Sequence, residues 1–142
     1  MTRLARTVRF HDDEHVASLL SRLAMMNGAS TTEFCRHLGL NPRALAKGRS
    51  DVLNELAHLG GFDPAALKNR LPIFEKDVFQ IGNERLLFSH VDRIRGGYCP
   101  HCVARDRELG VGAMETRAYG RLSWLVRFIA TCPIHNALLC AV

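Results

Sequence analysis

Apolar positions recur at helical spacing along the first half of this chain and at strand-like spacing along the second. From Glu14 to Asn27 the residues Val16, Leu19, Leu20, Leu23 and Met26 fall three and four apart, which predicts an amphipathic helix with Arg22 on its other face and Gly28 as its stop. Ser30 or Thr31 is placed to cap a second helix, with Glu33 completing a capping box, Phe34, Leu38 and Leu40 on its buried side and Gly39 as its close. Asn41 caps again, Pro42 occupies the first helical position, and a short third helix ends at Gly48. Asp51 is expected to cap a helix through Leu59, and Asp63-Pro64 to start another that reaches about Asn69.

After Leu71-Pro72 the period changes. Val78 to Ile81 and Glu84 to Phe88 read as a hairpin about Gly82-Asn83, Leu122 to Ile129 reads as a strand, and Ala137 to Val142 is a further apolar run able to pair with it. A polar helical turn is expected after Cys102, followed by a loop at Gly110 to Gly112. The expected fold is therefore mainly α with a small β-ribbon: a helix-turn-helix-like helical lobe over residues 1–71, then a hairpin and ribbon lobe over 72–142.

The chemistry concentrates in two short segments. Cys99-Pro100-His101-Cys102 and Cys132-Pro133-Ile134-His135 supply three thiols and an imidazole at knuckle spacing. A two-residue gap lets two side chains converge on one ion, and proline after each first Cys helps fix the turn. Cys99, Cys102, Cys132 and His135 are read as ligands of one structural Zn²⁺, which makes the expected ribbon a zinc-bound β-ribbon and residues 72–142 a hairpin plus zinc-finger lobe. A lone Cys-x-x-Cys could instead be a redox motif, which needs a strand before it and a helix starting on its first Cys, but the second pair at matching spacing argues against that. Three Cys and one His fill a tetrahedron, so chemistry at the metal is disfavoured. His101 is expected to point outward, and Cys35 and Cys140 to be inert buried thiols.

Charge adds a weaker signal. The net charge is +5, and 16 of the 19 basic residues are arginine, which suits bidentate phosphate or carboxylate contacts. Arg36, Arg43, Lys47 and Arg49 against Glu33 give residues 30–50 a local charge of +3, and these four are the candidate DNA contacts of a helix-turn-helix; a plain bundle of short, solvated helices accounts for the same pattern. Trp124 is read as core and not as a base-stacking platform. Arg117, Arg121 and Arg127 are read as a solvated face, the last two sharing one side of a strand. His11, His15, His37, His58 and His90 show no spacing that suggests a second site. No apolar run approaches the roughly 18 residues of a membrane span. Residues Met1 to Phe10 lack the apolar core of a signal peptide, and the cytoplasm is the expected compartment.

Taken in order, Tyr98-Cys99-Pro100-His101-Cys102, Asp106, Arg121-Leu122-Ser123-Trp124, Cys132-Pro133-Ile134-His135 and Leu138-Leu139 resemble the TniQ family of transposition proteins, and the first two helices resemble that family's opening. The resemblance implies a non-enzymatic adaptor that helps choose a DNA target site and links it to an ATPase regulator and transposase, some members acting as homodimers recruited by RNA-guided effector complexes. It implies the four ligands, and a packing and orienting role for Asp106 and Trp124. Members are usually considerably longer, and this sequence ends seven residues after His135, so contacts made by a downstream region are not inherited by resemblance. Two rivals remain: a helix-turn-helix transcription regulator, and a zinc-containing nuclease using Asp106, Glu108 and His101.

Overall fold

The computed structural model describes residues 2–92 and 96–141, so the Val142 end of the last apolar run lies outside the described residues. Among the described residues the fold is mixed: six α-helices, a three-stranded antiparallel sheet and a two-stranded one.

The amino half follows its caps. Helix α1 (Val16–Met26) starts where His15 Nδ1 accepts from the Ser18 N–H at 3.1 Å, and it buries Val16, Leu19, Leu20, Leu23 and Ala24. Helix α2 (Thr31–Leu38) carries the expected capping box, with Ser30 Oγ accepting from Glu33 N–H and Glu33 reaching back to Ser30 N–H; Gly39, at φ 68°, closes it. Helix α3 (Pro42–Ala46) is only about one and a half turns long. In α4 (Ser50–Gly60) the expectation for Asp51 is corrected. Arg49 takes the cap position without a side-chain cap bond, and Asp51 sits in the first turn, where it meets the helix dipole and pairs with Arg49. Helix α5 (Pro64–Asn69) starts on an Asp63 cap as expected. The non-regular segment before α1 is stitched on by Leu4 N–H to Leu59 O and Thr7 Oγ–H to Gly60 O, which brings Val8 into a core built from α1 to α5.

The second half departs further from expectation. The hairpin is a three-stranded meander of β1 (Ile73–Glu75), β2 (Val78–Ile81) and β3 (Glu84–Leu87). The extra strand was hidden because its turn is Lys76-Asp77, both residues at positive φ, a conformation that tight hairpins demand and that Asn-Gly usually signals. Phe79, Ile81 and Val91 form a second, small core beneath this sheet. Residues 122–129 do not form a strand: Leu122–Leu125 is a 3₁₀ turn, with a single bridge from Val126 to Val91. The ribbon beside the knuckles is instead β4 (Gly97–Tyr98) paired with β5 (Cys140–Ala141). The expected polar turn after Cys102 is a full helix, α6 (Pro100–Leu109).

The two halves are laced along the start of α1. His15 N–H donates to Gly120 O, Gly120 N–H to Ser18 Oγ at 2.7 Å, and Leu122 N–H to Asp13 O at 2.7 Å. Glycine at 120 allows this approach, because a Cβ there would stand 2.4 Å from His15 Nε2.

Candidate metal centre and the cleft beside it

Four side chains distant in sequence converge where α6 begins. Cys99 is the N-cap of α6, Cys102 lies in its first turn, and Cys132 and His135 come from the second knuckle, whose turn is closed by Asn136 N–H to Cys132 O. Asn136 takes a positive φ of 52°, which asparagine tolerates better than most residues. The three sulfurs are buried, and all four ligand atoms lie within 4.8 Å of one another.

The separations test the site. Cys102 and Cys132 sulfurs are 3.6 Å apart, and His135 Nδ1 lies 3.6, 3.3 and 3.7 Å from the sulfurs of Cys99, Cys102 and Cys132. Bonds of about 2.3 Å to sulfur and about 2.0 Å to nitrogen at tetrahedral angles generate edges of about 3.8 and 3.5 Å. The donors therefore fit a single tetrahedral ion, and 3.6 Å is far from a disulfide bond. A short strand, β4, does precede Cys99 and a helix does start on it, so the local context alone would allow a redox dithiol. The second pair separates the two readings, as its matching spacing implied: Cys132 and His135 converge on Cys99 and Cys102.

The protons agree with a cation site. Burial pushes the Cys102 thiol up to about 12. Burial also works against ionising Cys132, but the His135 and Ile134 backbone N–H groups aimed at its sulfur outweigh it and bring that thiol down to about 6. Thiolates are the forms that ligate a metal, so binding of an ion here is expected to release protons.

Beside this centre stands an arginine that sequence reading misplaced. Arg121 is 9% exposed and forms a fork on Asp106, Nη2 to Oδ1 at 2.8 Å and Nη1 to Oδ2. Its guanidinium lies 3.7 Å from the Tyr119 ring centre and 5.1 Å from that of Trp124, which is buried as expected. Tyr119 in turn stacks on His11 at 3.8 Å and donates to Asp13 Oδ1 at 2.8 Å; burial and that bond push its phenol well up. Arg121 thus joins α6, which carries Cys102, to the segment before α1. Arg127 is exposed and shares no strand face with it. The signal available in the sequence was the pairing of Asp106 with Arg-x-x-Trp within one motif, a spacing that only a folded loop turns into an ion pair.

Arg36, Arg43, Lys47 and Arg49 are all exposed around α2 and α3, Arg49 being held by Asp51 at 2.8 Å. His101 is exposed as expected. Cys35 is buried, whereas Cys140 is exposed on the edge of β5, contrary to expectation.

A family model described as TniQ matches residues 5–139. The chain belongs to the TniQ family. That match spans both the helical half and the metal centre, and it implies a role in transposition within a non-catalytic, transposition-associated family. A search of curated proteins found no match to the chain. The TniQ match covers the Cys3His cluster, which could hold a metal ion, and no helix is long and apolar enough to cross a membrane among the described residues.

Proposed function

We propose that this TniQ-family chain is a zinc-stabilised adaptor of DNA transposition that helps select the target site and recruits the other transposition proteins, without performing chemistry itself. The family match over residues 5–139 carries this reading. The donor set supports zinc and a structural role: three thiolates and one imidazole suit that borderline ion and occupy all four positions of its usual shell, so no position is left for an activated water. Bound zinc would cross-link the start of α6 to the second knuckle, completing a small core of Cys99, Cys102, Trp124 and Cys132. A nuclease role for Asp106 is disfavoured by its fork with Arg121. The division at residue 72 into a helical and a zinc lobe, a homodimer, and contact with DNA, an ATPase regulator or an RNA-guided complex all belong to this proposal.

A second reading, a helix-turn-helix regulator, is favoured by the exposed cations Arg36, Arg43, Lys47 and Arg49 about the α2–α3 turn. The brevity of α3 weighs against base readout.

The test is an insertion map. A transposon carrying this gene is compared with one carrying Cys132→Ser. The adaptor reading expects insertions to fall or scatter while cleavage at the transposon ends continues, and an unchanged insertion map would overturn it. A gel shift on random and palindromic duplexes separates the readings, since a preferred palindrome fits the regulator alone.

A further inference from the structure

A cleft of about 690 Å³ opens beside the metal centre, between the segment before α1, α1 itself, α6 and the loop that follows α6. Its walls combine two features. Five arginines line it against two carboxylates, and those carboxylates are engaged: Asp106 by Arg121, Asp13 by the Tyr119 hydroxyl. Of the arginines, Arg22 is neutralised by Glu14 and Arg121 by Asp106. Arg9, Arg105 and Arg117 have no carboxylate within ion-pair distance among the described residues, so the mouth keeps three uncompensated charges, although Arg117 is half-buried and donates to Gly112 O and Arg107 O. Deeper in, the buried Arg121 Nε has no hydrogen-bond partner, its neighbour Asp13 Oδ2 standing at 3.7 Å.

The second feature is apolar. Leu109, Val111 and Ile134, which line the same cleft, are 67%, 90% and 60% exposed. Three aliphatic side chains held in water around a cationic mouth are of no use to a sugar-phosphate backbone, which contributes charge but little apolar surface. They suit a protein segment, since interface centres favour apolar residues with arginine and tyrosine.

We propose that this cleft is the docking site for an acidic peptide segment of a partner protein, one that sets Asp or Glu against Arg9, Arg105 and Arg117 and places aliphatic or aromatic anchors on Leu109, Val111 and Ile134. The inference rests on the adaptor reading and gives it a partner-binding surface. Because the cleft wall includes Cys102 and His135, loss of the metal also disorganises it.

The test uses the full zinc-loaded chain and fluorescence anisotropy. The probe is a labelled peptide of about twelve residues rich in Asp, Glu, Leu and Phe. Two controls accompany it: the same peptide with every Leu and Phe changed to Ser, and a single-stranded oligonucleotide of equal charge. The peptide is expected to bind at least about tenfold more tightly than either control. Arg9→Glu with Arg105→Glu, and separately Val111→Asp, should each weaken it about tenfold. These side chains are exposed and make no described side-chain bond, so thermal melting and metal content should stay unchanged. Arg43→Glu, in α3 and outside the cleft lining, should leave binding as it was.

Equal binding of the oligonucleotide or the Ser peptide would overturn the proposal in favour of a polyanion face, as would an equal loss from Arg43→Glu or no peptide binding at roughly 1 mM. The two proposals fail separately. Peptide binding with an unchanged insertion map sinks the adaptor reading alone, and a disturbed map without peptide binding sinks the docking site alone.

Discussion

Arg22 donates through Nη1 to both carboxylate oxygens of Glu14 at 2.9 Å, in a pair whose side chains are 9% and 0% exposed. The same guanidinium donates to Thr116 O at 2.7 Å and Arg9 O at 3.0 Å, so one side chain binds α1 to the segment before it and to the loop after α6. Burial raises the Glu14 carboxyl, and Arg22 pulls it back toward ionisation. Arg22→Met should therefore destabilise the fold by about 3 to 5 kcal/mol, because Glu14 is left buried and uncompensated. Adding Glu14→Gln should recover part of that loss. Urea unfolding of both single variants and the double closes the cycle, and simple additivity would show that the pair is not coupled.

Stability should also report His15. Burial lowers its pKa to about 4, against 6.5 for the exposed group. Between these values the unfolded chain binds a proton that the folded chain does not, so a contribution of up to roughly 3 kcal/mol, complete above pH 6.5, is lost as the pH falls toward 4. His15→Asn keeps a capping side chain and removes the titration. Thermal melts at about pH 7.5 and about pH 5 should show a smaller loss for the variant, with acid release of metal common to both proteins. Equal losses would mean that His15 protonates freely in the folded state.

Removal of metal has a built-in reporter, because Trp124, the one tryptophan, is buried against Cys99, Cys102 and Cys132. A chelator, or Cys132→Ser, should red-shift its emission and unfold the second half, with apparent binding energies of about 10 to 16 kcal/mol in comparable structural sites. Far-ultraviolet dichroism should retain most of the helical signal if residues 1–71 are a lobe of their own. Cys140→Ser, at an exposed position outside the cluster, should bind metal and emit as the parent does.

Arg121→Lys tests whether the fork matters beyond its charge. Lysine keeps the cation but cannot span both Asp106 oxygens or stack on Tyr119, and a cost of about 2 kcal/mol is expected. A quenched or shifted Trp124 signal at unchanged metal content would place the defect at the Arg121 stack. Unchanged stability would show that a point charge suffices.

How much of this was legible beforehand depended on range. The Ser30–Glu33 box, the Gly39 stop and the Asn41 and Asp63 caps were readable because each rests on hydrogen bonds spanning two to four residues. The metal centre was readable because each half keeps a two-residue gap, even with 29 residues between the halves. Residues 122–129 looked like a strand, yet strand propensity has no effect without a neighbouring edge to pair with, and only Val126 finds one, at Val91. Cys140 looked buried, but its ribbon is two residues long and leaves that side chain on the open edge.

The sequence by itself determined most helix boundaries of the amino half, the four side chains that converge in the Cys3His cluster and membership of the TniQ family, since caps, periodicity and motif spacing are local or nearly so. Tertiary structure decided which charges are buried and which remain free. Arg22 and Arg121 are drawn inside because Glu14 and Asp106, 8 and 15 residues away, arrive opposite them, while Arg9, Arg105 and Arg117 meet no carboxylate and keep their charge for the cleft. Long-range partnership of that kind follows from the closing of loops around a core, and no run of residues announces it.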